Sequence, residues 1–128
     1  MLFHEKAEYS EAINNYKLAL NIEQNFAQAY CNLGNSYYEL NEYNKAVLAY
    51  KKALQINPKF KEVINNLGNV YKDTGNFEEA IKSYKKTLIL DKDFYQAHCN
   101  LGKIYQMKDD LHLARKNYQR ALQKNDKH

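Results

Sequence analysis

The sequence has no run of about 18 apolar residues, the length that a membrane-spanning helix requires. Its first residues do not form a signal-peptide pattern, and no Asn-x-Ser or Asn-x-Thr sequon occurs in the chain. These absences predict an intracellular protein, cytoplasmic or nuclear, that does not insert into a membrane. The length of 128 residues corresponds to one domain.

Motifs that carry catalysis are also missing. There is no glycine-rich phosphate loop, no His-Glu-x-x-His pair, no paired-cysteine metal knuckle and no nucleophile elbow. The histidines are scattered, and although Asp109 and His112 lie close in sequence, two candidate ligands do not make a metal site. We therefore expect no enzymatic activity from this chain, no cofactor and no bound metal.

What the sequence does contain is an internal repeat. The tripeptide Asn-Leu-Gly occurs at 32–34, 66–68 and 100–102, at intervals of 34 residues. A fixed period of this length is typical of a repeat array, in which each unit packs on its neighbours and function resides in a continuous surface.

Apolar residues around each tripeptide recur at steps of three and four residues, which is the spacing of one helix face. In the first complete copy these residues are Ala27, Tyr30, Leu33, Tyr37 and Leu40. A turn is predicted next, at 41–42, before a second periodic run. Pro58 is expected to end the second helix, because proline disfavours helical geometry in the residue before it. The matching turns in the next two copies are predicted at 74–76 and 108–110.

The glycine of each tripeptide falls in the middle of a predicted helix, where glycine costs about 1 kcal/mol relative to alanine. Its recurrence predicts close contact with the paired helix. That helix carries a small residue at a fixed position in each copy, Ala46, Ala80 and Ala114, which we expect to permit the approach. The tyrosines at repeated positions are expected to lie in the core with polar tips: Tyr16, Tyr37, Tyr50, Tyr71, Tyr84, Tyr105 and Tyr118.

In register with Gly34, the first copy carries Tyr30, Leu33, Tyr37, Ala46, Tyr50 and Pro58. This pattern resembles the tetratricopeptide repeat, a helix-turn-helix unit of 34 residues. The resemblance implies an all-α fold, a right-handed superhelical solenoid of antiparallel helix pairs. It divides the single solenoid domain into a partial repeat at 1–26, mainly its second helix, and complete repeats at 27–60, 61–94 and 95–128. His98 occupies a bulky packing position, where we expect a core or half-buried imidazole.

Solenoids normally need terminal caps with a polar outer face, and neither end of this sequence shows one. We therefore expect a fragment of a longer array, whose uncapped apolar ends favour end-to-end self-association.

The formal charge is +4, and many positive residues fall on the predicted second helices. They are Lys51, Lys52, Lys82, Lys85, Lys86, Arg115, Lys116 and Arg120. The resemblance implies that second helices line the outer face. Nucleic-acid binding would require a basic groove with stacking aromatics, so we expect a solvated outer face and no nucleic-acid partner.

The two cysteines, Cys31 and Cys99, occupy the same repeat position two copies apart. Helix packing distances place them roughly 20 Å apart, whereas a disulfide requires Cα atoms within about 7 Å. We expect free thiols, in agreement with a reducing compartment.

The resemblance implies that the first helix of each repeat lines a concave groove. The rows expected to be exposed there run Gln28, Glu62, Gln96; Cys31, Asn65, Cys99; Asn32, Asn66, Asn100; Asn35, Asn69, Lys103; Tyr38, Lys72, Gln106; and Glu39, Asp73, Met107. The predicted peptide-binding residues are Asn32, Asn35, Asn66, Asn69, Asn100, Lys103, Tyr38 and Lys72.

Asparagine is unfavourable inside a helix because its amide competes for the backbone, so its recurrence at one register needs a reason. One reason is binding, because an amide can pair both polar groups of an extended peptide backbone. The other is duplication in an Asn-rich sequence, with the amides bridging neighbouring helices.

Two subclasses of the family bear on the groove. The co-chaperone clamp for terminal carboxylates needs charged donors. Asn35 and Asn66 match that clamp, but Cys31, Gln96 and Asn100 stand where it has Lys, Lys and Arg, which excludes it. The Asn ladder is similar to the arm of O-linked N-acetylglucosamine transferase. Three hypotheses remain: a peptide- or protein-binding module, a substrate-recruiting arm of a protein O-glycosyltransferase, and a structural spacer or self-association segment.

Overall fold

The computed structural model describes residues 3–22 and 26–126, and these residues are helical except in short connections. The helices are α1 (Phe3–Ile22), α2 (Ala27–Glu39), α3 (Tyr43–Ile56), α4 (Lys61–Asp73), α5 (Phe77–Leu90) and α6 (Tyr95–Asp126). No strand occurs in this part of the chain, and none of its helices is long and apolar enough to cross a membrane. The predicted all-α fold is confirmed.

The helices pack as successive hairpins. Helix α2 pairs with α3, α4 pairs with α5, and α1 and α6 pack at the two ends against α2 and α5. In addition α2 contacts α4, and α4 contacts α6. The first helices of successive repeats therefore lie side by side, and together they form one continuous surface.

Helix α3 ends where the sequence predicts. Asn57 adopts an extended conformation, with φ −131° and ψ 90°, immediately before Pro58. Its side-chain oxygen accepts a hydrogen bond from the backbone N–H of Lys59 at 3.2 Å, which stabilises the turn. Asp91 ends α5 in the same way, with φ −149° and ψ 98° and a bond from the N–H of Asp93 at 3.1 Å.

Each closed hairpin turns at a residue in the left-handed conformation. Asn41 has φ 60° and Gly75, 34 residues later, has φ 80°. The following N–H groups, of Glu42 and Asn76, reach back into the helix to bond backbone oxygens at 2.9 and 2.8 Å. The turns predicted at 41–42 and 74–76 are therefore confirmed. They form at these positions because glycine and asparagine adopt the left-handed conformation most readily.

The third predicted turn, at 108–110, is wrong, because α6 runs through it as one helix of 32 residues. Asp109 occupies the position of Asn41 and Gly75 but has no positive φ. Aspartate adopts the left-handed conformation only occasionally, and continuing the helix avoids it. Lys108 also donates to Glu78 on α5 at 2.6 Å, an ion pair made by the straight helix. Ala7, the equivalent residue in α1, likewise lies inside a continuous helix.

The glycine contacts follow from these turns. A Cβ atom built on Gly34 would lie 2.5 Å from Cε1 of Tyr50, and one on Gly68 would lie 2.8 Å from the same atom of Tyr84. Both rings are almost completely buried. The prediction of close helix approach is confirmed at these two glycines and is wrong at Gly102, where a Cβ atom would have no neighbouring helix within 4 Å.

The open third repeat also changes the predicted core. Tyr118 is 67% exposed and Tyr105 is 44% exposed, so their assignment to the core is wrong, and Ala114 is exposed as well. The cause in each case is that the second half of α6, after Asp110, does not fold back on the first half. Tyr37, Tyr50 and Tyr84 are buried as predicted, whereas Tyr16 and Tyr71 are partly buried and pack against core residues.

Candidate functional site

The surface formed by α2, α4 and the first half of α6 contains a cleft of about 360 Å³. It is lined by Asn35, Tyr38, Glu39, Tyr50, Asn66 and Asn69. Four of the residues predicted to bind peptide, Asn35, Tyr38, Asn66 and Asn69, therefore share one site. The remaining predicted residues extend this surface along α2, α4 and α6 and do not line the cleft itself.

A hydrogen-bonded unit organises the cleft. The Tyr50 hydroxyl donates to Asn35 Oδ1 at 2.5 Å, and Asn66 Nδ2 donates to the same oxygen at 3.1 Å. The unit recurs one repeat later, where Asn69 Oδ1 accepts from Tyr84 at 2.5 Å and from Asn100 Nδ2 at 3.0 Å. Each unit joins one hairpin to the first helix of the next, so the amides do bridge neighbouring helices.

The tyrosine hydroxyls in these units were not predicted to have a site role. A recurring signal was available, because Asn35 precedes Tyr50 by 15 residues and Asn69 precedes Tyr84 by the same interval. Burial raises the pKa of Tyr50 and of Tyr84 above the usual range of tyrosine. Both hydroxyls are therefore neutral donors at neutral pH, and they fix the orientation of the asparagine amides.

The amides retain hydrogen-bonding capacity beyond these bonds. An amide has two N–H donors, and Asn66 and Asn100 each use one of them on the preceding asparagine. Among the described residues no donor reaches Asn66 Oδ1, whereas Asn100 Oδ1 accepts from Lys72 Nζ at 3.3 Å. Asn32 accepts from Gln28 Nε2, on its own helix, at 3.0 Å.

Tyr38 closes the acidic side of the cleft. Its hydroxyl donates to Asp73 Oδ2 on α4, and its ring meets Tyr43 edge to face at 5.8 Å between centroids. Burial, followed by the bond to Asp73, raises the pKa of Tyr38. Glu39 lies beside it in the cleft lining. This side of the surface therefore carries fixed aromatic and carboxylate groups in addition to the amides.

One row predicted to be exposed is mostly buried. Cys31 and Asn65 are each 4% exposed, because this register turns toward the neighbouring helices, and Cys99 is partly buried. Burial raises the pKa of the Cys31 thiol, and Asn35 Nδ2 lies 3.9 Å from its sulfur. Both cysteines are free, as predicted.

The third repeat departs from the pattern of the first two. Lys103 replaces the asparagine of the Tyr-Asn unit and is exposed, as are Gln106 and Met107. His98 was expected to be buried or half-buried, but it is exposed, and its Nε2 lies 2.8 Å from the backbone oxygen of Lys92. The imidazole lies outward because no second helix covers this part of α6.

Elsewhere, the basic residues named for the second helices are all exposed, as a solvated outer face requires. A second cleft, of about 350 Å³, lies between α1 and α3 over Tyr30, Leu33 and Tyr37. Its floor consists of residues that pack the hairpin, and its rim includes Lys17 and Lys45. No group of three or more metal-ligating side chains occurs among the residues that the structure describes.

Comparison with known proteins identifies the family. A model of the TPR repeat matches residues 2–41, 34–75 and 68–109, and a model of the tetratricopeptide repeat matches residues 95–128. The chain belongs to the tetratricopeptide repeat family. No curated protein matches it in a sequence search.

Solved structures share its fold. The crystal structure of MamA is 28% identical over 93% of this chain and 70% of that chain, with a TM-score of 0.76. The first TPR of Spaghetti (RPAP3), bound to the HSP90 peptide SRMEEVD, is 22% identical over 84% of this chain and 85% of its own, with a TM-score of 0.77. The Arabidopsis OM64 TPR domain is 20% identical over 80% of this chain and 85% of its own, with a TM-score of 0.75. These comparisons give no support to the narrower resemblance to a glycosyltransferase arm.

Proposed function

We propose that this chain is a protein-protein interaction module that binds an extended peptide or partner segment along the surface of α2, α4 and the first half of α6. The observation that carries the proposal is the Asn66 amide. It lies in a cleft, its orientation is fixed through Asn35 and Tyr50, and it retains an unused N–H and an unused oxygen among the described residues.

The chemistry of binding follows from these groups. The second N–H of Asn66 donates to a peptide carbonyl, and its Oδ1 accepts from a peptide N–H. Asn32 and Asn100 offer amides at the same register on the neighbouring helices. Because Tyr50 and Tyr84 hold the amides in place before binding, little ordering cost remains to be met by the ligand.

The preference for particular peptide side chains comes from residues beside the row of Asn32, Asn66 and Asn100. Asn35, Asn69 and Lys103 flank the peptide on one side, while Tyr38 and Lys72 contact its side chains. In support, a relative of the same fold, RPAP3, binds an HSP90 peptide. In our chain Cys31, Gln96 and Asn100 cannot supply the cations that a terminal carboxylate requires, so we infer recognition of the backbone of an internal segment.

The same hydrogen bonds favour a second candidate, a structural spacer. In that function the bonds from Asn66 to Asn35 and from Asn100 to Asn69 only hold successive repeats together. A substrate-recruiting arm of a larger enzyme would bind a peptide in the same groove. It would differ from a binding module only because the bound peptide would be the substrate of a catalytic domain.

Selection from a display library of random linear peptides distinguishes a peptide-binding module from a structural spacer. Asn32→Ala is the cleanest variant, because the Asn32 side chain bonds only Gln28 on its own helix. We expect this variant to weaken a selected peptide about tenfold, as for one lost hydrogen bond. Asn44→Ala, an exposed asparagine on α3, is the matched control and should leave affinity unchanged.

The triple variant Asn32→Ala, Asn66→Ala and Asn100→Ala should abolish peptide binding. Circular dichroism melts must show that it still folds, since two of these changes also remove bridges between helices. A folded triple variant that binds the selected peptides as well as the native chain contradicts the proposal and supports the spacer.

A further inference from the structure

The third repeat has an empty position that the first two repeats fill. The ring of Tyr50 lies against Gly34, and the ring of Tyr84 lies against Gly68, so closely that a Cβ atom would collide with either. Gly102 stands at the same position in α6, but a Cβ atom built on it would meet no side chain and no other helix within 4 Å. Leu101 is correspondingly more exposed than its equivalents Leu33 and Leu67, and Tyr105 is more exposed than its equivalents Tyr37 and Tyr71.

A segment with the residues that would fill this position occurs in the same chain. In α5 the face that covers Gly68 comprises Phe77, Ala80, Tyr84 and Leu88, all buried or partly buried. The same register in α6 carries Leu111, Ala114, Tyr118 and Leu122, all exposed. An exposed copy of a packing face and an empty copy of its partner face thus coexist in one helix.

The chain cannot join these two faces within one molecule while α6 is straight. Gly102 and Tyr118 are separated by about 24 Å along the axis, at 1.5 Å per residue. The fold-back that would join them needs a left-handed residue at 109, where aspartate stands in place of Asn41 and Gly75. The ion pair of Lys108 with Glu78 further ties the straight helix to α5.

An antiparallel second copy satisfies both faces at once. If Gly102 of one helix lies opposite Tyr118 of the other, the two-fold axis passes through residue 110. Helix α6 extends from Tyr95 to Asp126, so its midpoint also falls beside residue 110. The two helices therefore overlap along their full length, and every contact occurs twice, as a two-fold interface requires.

We propose that two copies of this chain exchange the second half of α6, so that Tyr118 of each copy packs on Gly102 of the other. The partner helix replaces the missing second helix of repeat 95–128. Tyr118 then also brings its hydroxyl to Lys103, at the position where Tyr50 and Tyr84 bond asparagine. This assembly goes beyond peptide binding and does not depend on it.

Sedimentation of the native chain across concentration, with scattering to measure mass, tests the exchange. We expect a monomer-dimer equilibrium. Tyr118→Ala should weaken the dimer more than a hundredfold, because two aromatic contacts are lost together. Leu113→Ala is the matched control, since Leu113 is exposed but lies outside the packing face, and it should change the dissociation constant less than threefold.

Two further variants separate exchange from other arrangements. Gly102→Ala should weaken the dimer while the melting temperature of the monomer stays level or rises, because nothing contacts Gly102 within one copy. Asp109→Gly should convert the dimer to a monomer by permitting the closed hairpin. A native chain that is monomeric at all concentrations overturns the proposal. So does a dimer that survives Asp109→Gly, or one that Leu113→Ala weakens as much as Tyr118→Ala.

Discussion

The Tyr50 ring lies against Gly34 while the Tyr50 hydroxyl donates to Asn35 at 2.5 Å. One side chain therefore closes the first hairpin and orients the amide at the floor of the cleft. Tyr84 has the same two roles with Gly68 and Asn69. Packing and the candidate binding surface are coupled through these tyrosines, and the predictions below separate the two roles.

Tyr50→Phe keeps the ring and removes the donor. Asn35 Oδ1 then retains only the bond from Asn66, and we expect the free energy of unfolding to fall by about 1 kcal/mol in urea denaturation. Tyr30→Phe is the matched control, because no hydrogen bond of the Tyr30 hydroxyl occurs among the described residues, and its stability should equal that of the native chain. Equal stability of Tyr50→Phe would show that the bond does not hold Asn35.

Gly34→Ala and Gly102→Ala should have opposite effects on the stability of the monomer. At Gly34 the new methyl group meets the Tyr50 ring, and overpacking of this kind costs about 1–3 kcal/mol. At Gly102 the methyl group meets nothing within one copy, so the higher helix propensity of alanine adds up to about 1 kcal/mol. Chemical denaturation at low protein concentration measures both. Destabilisation by Gly102→Ala under these conditions would indicate a closed third hairpin.

Gly75→Ala tests the turn without changing any packing. Gly75 has φ 80° and no neighbour within 4 Å, so only the backbone conformation opposes a side chain. We expect a loss of about 1–2 kcal/mol, because alanine rarely adopts left-handed geometry. Gly75→Asn should lose less, since Asn41 adopts the same conformation in the preceding turn. The order of the two variants in thermal melts is the measurement, and equal losses would contradict the explanation.

Alkaline pH should destabilise the fold through the buried tyrosines. Their pKa is raised by burial in the folded chain, so their stabilising contribution is complete below about pH 10, the usual pKa of tyrosine, and is lost as pH rises further. Each such group lowers the free energy of unfolding by up to about 1.4 kcal/mol per pH unit above that point. Urea denaturation between pH 8 and about pH 11 should show this slope. Tyr50→Phe should reduce it, and an unchanged slope in this variant would contradict the explanation.

Much of the fold could be predicted because the repeat sets the spacing. The hairpins and the glycine contacts of two repeats follow from residues that recur every 34 positions, and the end of α3 at Asn57 follows from Pro58. The straight α6 could not be predicted from that spacing, because the period marks where a turn should fall and not whether it forms. At that turn Asp109 stands in place of Asn41 or Gly75, and Lys108 pairs with Glu78 on α5, a contact that the 34-residue spacing does not reveal.

The candidate site was predictable in position but not in connectivity. Helical spacing placed the asparagines on the first helices, and the structure brings Asn35, Asn66 and Asn69 into one cleft. Helical spacing does not show which polar atoms already bond to a neighbouring helix, because the bond from Asn66 to Asn35 joins residues 31 positions apart. The burial of Cys31 and Asn65 depends in the same way on how closely α2 and α4 pack.

The most direct test of the binding proposal is a nuclear magnetic resonance titration of the labelled chain with a peptide selected from the display library. The account predicts that the side-chain amide signals of Asn32, Asn66 and Asn100 shift with the peptide, together with backbone signals of α2 and α4. Signals of the exposed outer residues of α3 and α5, such as Lys51 and Lys85, should stay in place. Saturable shifts confined to those outer residues, with the three amide signals unchanged, would contradict it.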